Sequence, residues 1–438
     1  MDFLKEYSKY REEIIQRTME LVAIKSTCEE NEVVDGITYP FGIGNYKALE
    51  YVLKLGESLG FKTKNIEGVC GHLEYGEGEE IFAVLSHVDV VPAIGDWTNP
   101  PYEAVVRDGK IFGRGTSDDK GPAIASIYAL KVLKDLGIKL NKRVRLIFGT
   151  DEETGSRGLK RYLEVEEKPT YGISPDADFP IIYGEKGICT IDLLDNQKCN
   201  LKANGGARYN IVAPSLEFTI DNQDFLEKHP NNQKNYHVTG ISAHAMEPDN
   251  GKNAIKEFAL LVNDYTDSKL VHFIYDNLLN SRLKDMGLDI TDKEMGDLTM
   301  NMGLLEIDNE ARLGLNIRYP HNLNFAEFYK SFESKANEYG LKCVLRSNSK
   351  PHYVDPNSEF IKTLHQSYIK YTNDHSPLKT IGGGTYAREF ENGVAFGVLF
   401  PGEVEMAHET DEFISIDSLM KAGVIITDAI YSVCNIMK

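Results

Sequence analysis

The sequence predicts an α/β fold: a discontinuous first domain, built on a largely parallel sheet flanked by helices, carries an inserted α+β domain. Three observations support this prediction. Short apolar runs alternate with helical patterns in the first part of the chain, which is typical of parallel sheets. From about Lys186 the pattern changes to short strands separated by Asn- and Lys-rich loops, and helical patterns return after Lys350. The predicted boundaries are 1–185 and 351–438 for the first domain and 186–350 for the insert.

Each element follows from the spacing of its apolar residues. Apolar residues three or four apart indicate helices, and short continuous apolar runs indicate buried strands. The predicted elements are helices at 3–24, 47–58, 122–136, 359–373 and 416–437, strands at 72–75, 81–85, 104–106 and 144–149, and a helix that begins near Gly251. Because sites in such sheets gather at the carboxyl ends of strands, chemistry is expected just after 81–85 and 144–149.

Composition and charge exclude several classes of protein. The 438 residues favour two domains, and 42% hydrophobic residues are enough for a substantial core. A net charge of −19 disfavours nucleic acid and anionic membrane surfaces as partners. The chain has no run of about eighteen apolar residues, so no membrane span is expected. The six cysteines form no CxxC pair, and the charged N-terminus is unlike a signal peptide, so a cytoplasmic protein is expected.

The segment SHVDVVP places His87 and Asp89 two residues apart, just after a predicted strand. Residues i and i+2 of an extended segment share a face, so Asp89 can accept the second ring N–H of His87 and orient it toward a metal ion. The alternative is a histidine in an ordinary surface loop.

The segment GRGTSDDKGP places two acids ahead of a predicted helix. A carboxylate at this point can bridge two metal ions, but the N-terminus of a helix also favours acids as caps. Capping is the better interpretation of this segment alone. Together with the other motifs, Asp118 is assigned as the bridge and Asp119 as a supporting or capping residue.

The segment GTDEETG directly follows the strand predicted at 144–149. The adjacent side chains of Glu152 and Glu153 cannot share one orientation, so one can bind metal while the other faces the attacking water as a general base. An acidic surface turn is the alternative.

Asp176 in SPDAD and His408 in AHETDE complete the candidate set, with Asp178 as a rival of Asp176. A zinc motif of the HExxH type is absent, because Glu412 stands where the second histidine would be. Carboxylates and imidazoles in this combination are suitable ligands for a pair of divalent metal ions, which indicates a hydrolase.

Further candidates lie in or near the insert. His244 in ISAHAMEPDNGKNA can donate to a developing oxyanion, Arg318 in NIRYP can hold a substrate carboxylate, and Asn210 offers an amide. A structural role for each is an equal alternative at this point.

Two glycine clusters are not nucleotide sites. FGIGNYK has Lys47 at the third glycine position of a dinucleotide fingerprint, and IGGGTYAR lacks the ending of a phosphate loop. The second cluster, with Gly384 and Thr385, instead suits a close approach of the backbone to a substrate.

Taken together, SHVDVVP, GRGTSDDKG, DEETG, SPDAD and AHETDE resemble, in this order and over nearly the whole chain, the motifs of the co-catalytic metallopeptidase superfamily. That superfamily includes carboxypeptidase G, aminoacylases and succinyl-diaminopimelate desuccinylases. GGGTYAR, the segment around His244 and the large insert are similar to the PepV-type dipeptidases.

The resemblance implies a catalytic first domain and a lid formed by the insert. It implies one ion held by His87, Asp118 and Asp176, and a second held by Asp118, Glu153 and His408. The implied roles of the other residues are Glu152 as general base, Asp89 orienting His87, His244 stabilising the tetrahedral intermediate, and Asn210 and Arg318 contacting substrate. The metal would be zinc, with manganese or cobalt as alternatives, and the size of the insert resembles that of monomeric relatives.

Three hypotheses follow. The first is a two-metal dipeptidase that hydrolyses short peptides with metal-activated water. The second keeps the site but makes the protein an N-acyl amino acid deacylase or a desuccinylase. The third, a non-catalytic metal- or peptide-binding protein, is disfavoured because a candidate general base is present at Glu152.

Overall fold

The computed structural model describes residues 1–231 and 235–437, so part of the predicted Asn-rich loop, 232–234, lies outside the described residues. The fold is mixed α/β. The helices are α1 (Phe3–Ser8), α2 (Arg11–Val22), α3 (Ile43–Ser58), α4 (Lys120–Asp135), α5 (Arg157–Val165), α6 (Gln223–Lys228), α7 (Ala254–Val262), α8 (Lys269–Asn277), α9 (Phe325–Glu338), α10 (Glu359–Thr372) and α11 (Ile416–Asn435).

The strands β1 to β9 are Glu32–Val34, Ile37–Tyr39, Lys62–Ile66, Cys70–Tyr75, Ile81–His87, Val105–Arg107, Lys110–Phe112, Arg143–Gly149 and Tyr171–Ser174. Strands β10 to β17 are Ala177–Asp178, Ile182–Glu185, Gly187–Asp195, Leu201–Gly206, Ser215–Ile220, Tyr236–Thr239, Thr291–Asp292 and Gly296–Asp297. Strands β18 to β25 are Thr299–Ile307, Ala311–Tyr319, Lys342–Ser349, His352–Tyr353, Lys379–Ile381, Gly393–Ala395, Val398–Leu399 and Phe413–Ser415.

The chain forms two compact units. Unit 1 comprises Met1–Tyr183, Val354–Lys379 and Thr385–Lys438, and unit 2 comprises Gly184–Tyr353 and Thr380–Gly384. The prediction placed all of 351–438 in the first domain, whereas Thr380–Gly384 groups with unit 2. A backbone hydrogen bond of 3.0 Å from Lys186 N–H to the carbonyl of Ile381 ties this short segment to unit 2.

The central strands of the unit 1 sheet are parallel, in the order β23, β9, β5, β8. Antiparallel strands flank them, with β4 and β3 beyond β8 and β11 beside β23. Every residue of β5 is buried, as expected for a central strand covered on both faces. Since neighbouring parallel strands run in the same direction, β5, β8 and β9 present their carboxyl ends at one edge of the sheet.

Helices α4 and α11 pack against each other and against β5, and they supply much of the apolar core of unit 1. The helix predicted at 3–24 is wrong in one respect: it is broken into α1 and α2. The two parts have different main partners, because α1 packs mostly on α11 and α2 mostly on α4. The Ser8 hydroxyl also donates 2.7 Å to the carbonyl of Leu4, a contact that competes with continued helix.

Unit 2 is an α+β structure with its own core. Its sheet is antiparallel throughout the described residues, in the order β15, β14, β13, β18, β19, β12, β20. Helices α7, α8 and α9 contribute buried apolar residues to that core. The helix predicted near Gly251 begins at Ala254, where the Asn253 side chain accepts 2.9 Å from the N–H of Ile255 and caps it.

Within the part of the chain that the structure describes, no helix is both long enough and apolar enough to cross a membrane. All six cysteines are free, and Cys70, Cys189, Cys343 and Cys434 are buried.

Candidate metal centre

Three neighbouring parallel strands of unit 1 each end in a candidate ligand. His87 is the last residue of β5, Glu152 and Glu153 follow β8 in a short 3₁₀-helix, and Asp176 follows β9. The β5 and β8 registers align His87 with Gly149. The sheet therefore delivers side chains from distant parts of the sequence to one edge, where α/β folds bind their ligands.

His87 is completely buried and held from several directions. Its Nδ1 lies 3.1 Å from the backbone carbonyl of Asp89, whereas the Asp89 carboxylate lies 3.5 Å away. The sequence predicted that the Asp89 carboxylate would accept the ring N–H, but the nearer acceptor is the backbone carbonyl of Asp89. Because a carbonyl oxygen only accepts, Nδ1 carries a proton, and in the neutral ring Nε2 is then the nitrogen that is able to bind a metal ion.

The Asp89 carboxylate instead orients the glutamate pair. Its Oδ1 accepts 3.1 Å from the N–H of Glu152, and its Oδ2 accepts 3.1 Å from the N–H of Glu153. Both oxygens of Asp89 are thus engaged by the 3₁₀-helix, while Oδ1 also lies 3.5 Å from Nδ1 of His87.

Asp118 lies between the two histidines. Its Oδ1 is 2.9 Å from His87 Nε2, and its Oδ2 is 3.0 Å from His408 Nε2. Asp176 Oδ2 lies 3.5 Å from His87 Nε2, and Glu153 Oε1 lies 3.0 Å from His408 Nε2. The side chains therefore form two groups, one around each histidine, that share Asp118.

Asp119 precedes α4 but does not cap it with its side chain. Its Oδ2 instead accepts 3.0 Å from the backbone N–H of His87. Asp178, the rival of Asp176, is turned to a different partner, since its carboxylate lies 2.8 Å from Lys379 Nζ. Of the alternatives that the sequence left open, capping by Asp119 is thus excluded, and Asp178 is engaged in an ion pair.

Burial and contacts between neighbouring groups shift the pKa values of these residues in different directions. Burial raises the pKa of Glu152 well above its usual range, and burial followed by the charge of Asp118 raises the pKa of Asp176. Hydrogen bonds that the His408 ring donates to the carboxylates of Asp118 and Glu153 raise the pKa of His408 to about 11. Although burial opposes ionisation of Asp118, the two histidines hold its pKa well below the usual value.

This set of donors suits divalent cations. His87, Asp118 and Glu153 offer ligand atoms that all lie within 4.8 Å of one another. Within the described residues, the buried Nε2 of His87 makes no hydrogen bond, although two carboxylates lie beside it. A bare imidazole nitrogen that faces carboxylate oxygens without hydrogen-bond geometry is the arrangement of ligands around a common cation.

Binding of metal is expected to stabilise the protein, because several buried carboxylates otherwise repel one another. Adding Zn²⁺ or Mn²⁺ to chelator-treated protein at about one hundred times Kd should raise the melting temperature by about 5 °C or more. Differential scanning calorimetry checks this, with Ca²⁺, which prefers sites of six to eight oxygens, as a comparison ion. Equal melting curves with and without Zn²⁺ and Mn²⁺ would contradict the assignment.

Four further predicted site residues lie in unit 2, namely the oxyanion-stabilising candidate His244 and the substrate-binding candidates Asn210, Arg318 and Gly384. The carbonyl of Asn210 accepts 2.9 Å from the N–H of Ala245, which places Asn210 next to the His244 turn. Arg318 is buried, and its guanidinium donates 2.7 Å to Asn316 Oδ1 and 3.1 Å to the carbonyl of Gly382.

His244 has a defined tautomer. Its Nδ1 accepts 3.2 Å from the N–H of Met246, so the proton of the neutral ring lies on Nε2. Burial and then the charge of Arg318 lower the pKa of His244, which favours this neutral form. Thr385, the remaining predicted substrate residue, lies in unit 1, where its hydroxyl accepts 3.1 Å from the N–H of Ala387.

The sequence interpretation missed three residues beside the metal ligands. Tyr386 lies edge-on to His87 at 6.1 Å between ring centroids, and a Cβ on Gly149 would lie 2.1 Å from its hydroxyl. Arg114 and Glu412 form a buried ion pair of 2.7 Å. All three lie within sequence motifs that were singled out for other residues, and their place in those motifs was the only sequence signal for them.

Comparison with known families finds that residues 83–432 match the model of peptidase family M20/M25/M40. "Putative dipeptidase YtjP" of Bacillus subtilis is 39% identical over 98% of this chain and 99% of its own. A "Putative dipeptidase" of Staphylococcus epidermidis is 36% identical over 97% and 98% of the two chains.

Solved structures share the fold at low sequence identity. Human carnosine dipeptidase 1 superposes with a TM-score of 0.64 at 15% identity over 99% of this chain and 98% of its own. The dipeptidase Dug1p of Saccharomyces cerevisiae gives 0.62 at 12% identity over 98% and 97%. YxeP of Bacillus subtilis, described as a dinuclear metal-binding peptidase, gives 0.55 at 12% identity over 98% and 99%.

Proposed function

Because the chain belongs to peptidase family M20/M25/M40 and is therefore a peptide-bond hydrolase, we propose that it is a dipeptidase that uses two divalent metal ions. One observation carries the metal part of this proposal: the two carboxylate oxygens of Asp118 face His87 and His408 at 2.9 and 3.0 Å. A carboxylate placed between two imidazoles is suited to bridge two cations.

The proposed ligands follow from these contacts. His87, Asp118 and Asp176 would hold one ion, and Asp118, Glu153 and His408 would hold the other. Zinc is the first choice for mixed imidazole and carboxylate ligands, and manganese or cobalt would also fit. When bound, the ions supply Lewis acidity, which polarises a carbonyl group and lowers the pKa of water.

Glu152 is the proposed general base. Its carboxylate would accept a proton from the attacking water and pass it to the leaving amine nitrogen. The Asp89 carboxylate fixes the peptide N–H of Glu152 and thereby sets the direction of the side chain.

Unit 2 is proposed to act as the lid and to bind substrate. The Nε2–H of His244 would donate to the oxyanion that develops on the scissile carbonyl, and the Arg318 guanidinium would bind a substrate carboxylate. Asn210, Gly384 and Thr385 would make further substrate contacts.

We also propose that the protein is cytoplasmic and monomeric. A cytoplasmic protein fits the six free cysteines, and a monomer fits the size of the insert. Light scattering coupled to size-exclusion chromatography tests the second point, and a dimer would contradict it.

The substrate class is tested by a panel. Dipeptides, tripeptides, N-acetyl amino acids and N-succinyl amino acids would be assayed with Zn²⁺, Mn²⁺ and Co²⁺ in turn. We expect kcat/KM for at least one dipeptide to exceed that for every acylated amino acid by about 10²-fold, since relatives over nearly the whole chain are named dipeptidases.

Two controls accompany the panel. Chelator-treated protein and the Glu152→Gln variant should both be inactive on every compound. Turnover of the acylated compounds alone would replace the dipeptidase proposal with a deacylase or desuccinylase. Metal binding without hydrolysis of any compound would instead indicate a binding protein.

A further inference from the structure

Glu412 is a completely buried carboxylate that the proposed mechanism does not use. Within the described residues, its two oxygens accept from five donors. Oε2 accepts 2.7 Å from Arg114 Nη1 and 2.9 Å from the N–H of Gly115. Oε1 accepts 2.9 Å from both the N–H and the hydroxyl of Ser117, and 3.3 Å from the N–H of Asp118. Glu412 therefore holds the backbone of the loop that ends at Asp118.

The same ion pair also reaches the second histidine. Arg114 Nη2 donates 3.2 Å to the backbone carbonyl of His408, and its guanidinium lies 5.1 Å from the ring centroid of Trp97. The N–H of Gly113 donates 2.9 Å to the carbonyl of Glu412. Two segments far apart in the sequence, one carrying Asp118 and one carrying His408, are thus joined through one buried pair.

The His408 segment needs such an anchor. His408 and Asp411 have φ angles of 65° and 58°. Residues other than glycine adopt this left-handed backbone conformation at an energetic cost. Such residues persist where surrounding contacts hold them. On one side the Asp411 carboxylate accepts 2.8 and 2.7 Å from the N–H and hydroxyl of Thr98, and on the other side the Glu412 side chain is anchored as described.

Glu412 is also prevented from acting as a ligand itself. A carboxylate offers about four lone-pair sites, and the five donors occupy both of its oxygens. Its negative charge is balanced by the positive guanidinium of Arg114, which contacts it and is 2% exposed. An extra carboxylate can thus stand next to the metal ligands without competing for the cations.

We propose that Glu412, together with Arg114, is a positioning residue of the metal centre that keeps Asp118 and His408 at the spacing needed to share two ions. The inference rests on the proposed two-metal function. Residues that orient metal ligands contribute about 10- to 100-fold to metal affinity or activity.

The test compares Co²⁺-substituted proteins, because the visible absorption of Co²⁺ reports ligand geometry. Relative to wild type, Glu412→Gln should weaken Co²⁺ binding by about 10- to 100-fold and alter the spectrum at saturating Co²⁺. With saturating metal, kcat should fall more than KM changes. Ser117→Ala, which removes a single hydroxyl donor, should act in the same direction by about fivefold.

The matched control is Asp192→Asn. Asp192 is a fully buried carboxylate in unit 2, with Arg312 Nε at 2.9 Å and Arg346 Nε at 2.7 Å from its Oδ2. Its replacement should lower the melting temperature and leave the Co²⁺ affinity and spectrum unchanged. A purely structural role for Glu412 would produce the same result in Glu412→Gln.

Wild-type Co²⁺ affinity and spectrum in Glu412→Gln would overturn the inference, however far its melting temperature falls. If Glu412→Gln does not fold, Ser117→Ala decides, and an unchanged spectrum and affinity in that variant would overturn it. Absence of dipeptide hydrolysis by wild type overturns the proposed function, whereas the Co²⁺ measurements judge Glu412 independently of the substrate.

Discussion

Replacement of Glu152 with glutamine is expected to lower kcat by about 10³-fold or more, while both metal ions remain bound. The amide keeps the size and backbone contacts of the side chain but cannot accept the proton of the attacking water. Steady-state kinetics measure the loss, and metal analysis of the purified variant measures the ions that are retained. Glu152→Ala should give a loss of similar size.

The control for this variant is Asp178→Asn. Asp178 follows the same strand end as Asp176 but forms an ion pair with Lys379 at 2.8 Å. Exposed and half-exposed ion pairs contribute little to stability, so this variant should fold normally. Because Asp178 is not a proposed ligand or base, the variant should also keep wild-type kcat. If Glu152→Gln retained activity within about tenfold of wild type, the assignment of Glu152 as general base would be wrong.

Replacement of Asp118 with asparagine is expected to reduce metal content to less than one ion per chain and kcat/KM by at least about 10³-fold, a loss of several kcal/mol of transition-state stabilisation. An asparagine offers one neutral oxygen where the carboxylate offers two charged ones, so it cannot bridge the groups around His87 and His408. Elemental analysis after dialysis against buffered Zn²⁺ measures the metal content. Kinetics at saturating metal measure how much activity is recovered.

Asp151→Asn is the matched control for Asp118. Asp151 is also fully buried at the end of β8, but its oxygens accept 3.0 Å from the N–H of Arg157 and 2.9 Å from that of Gly158. Its replacement should lower the melting temperature, since it removes contacts at the start of α5, and should leave two ions bound. Two ions and wild-type activity in Asp118→Asn would contradict the bridging role.

The fold class is confirmed, and most elements could be predicted because their apolar residues repeat at regular spacing. Helix α10 and strand β8 lie within a residue or so of their predicted positions. The break between α1 and α2 could not be predicted, since it depends on two helices that come much later in the chain. The same holds for Thr380–Gly384, whose place in unit 2 depends on a backbone hydrogen bond across a large separation in sequence.

Sequence alone determined which side chains were candidates, because His87 and Glu152 follow apolar runs that predict strands and Asp176 stands in a recognisable motif. It could not decide what the carboxylates contact. Only the tertiary structure decided that Asp89 holds the glutamate turn and that Glu412 is enclosed by donors. Local spacing specifies where a strand ends, but the partners of a buried carboxylate come from whichever segments the fold brings beside it.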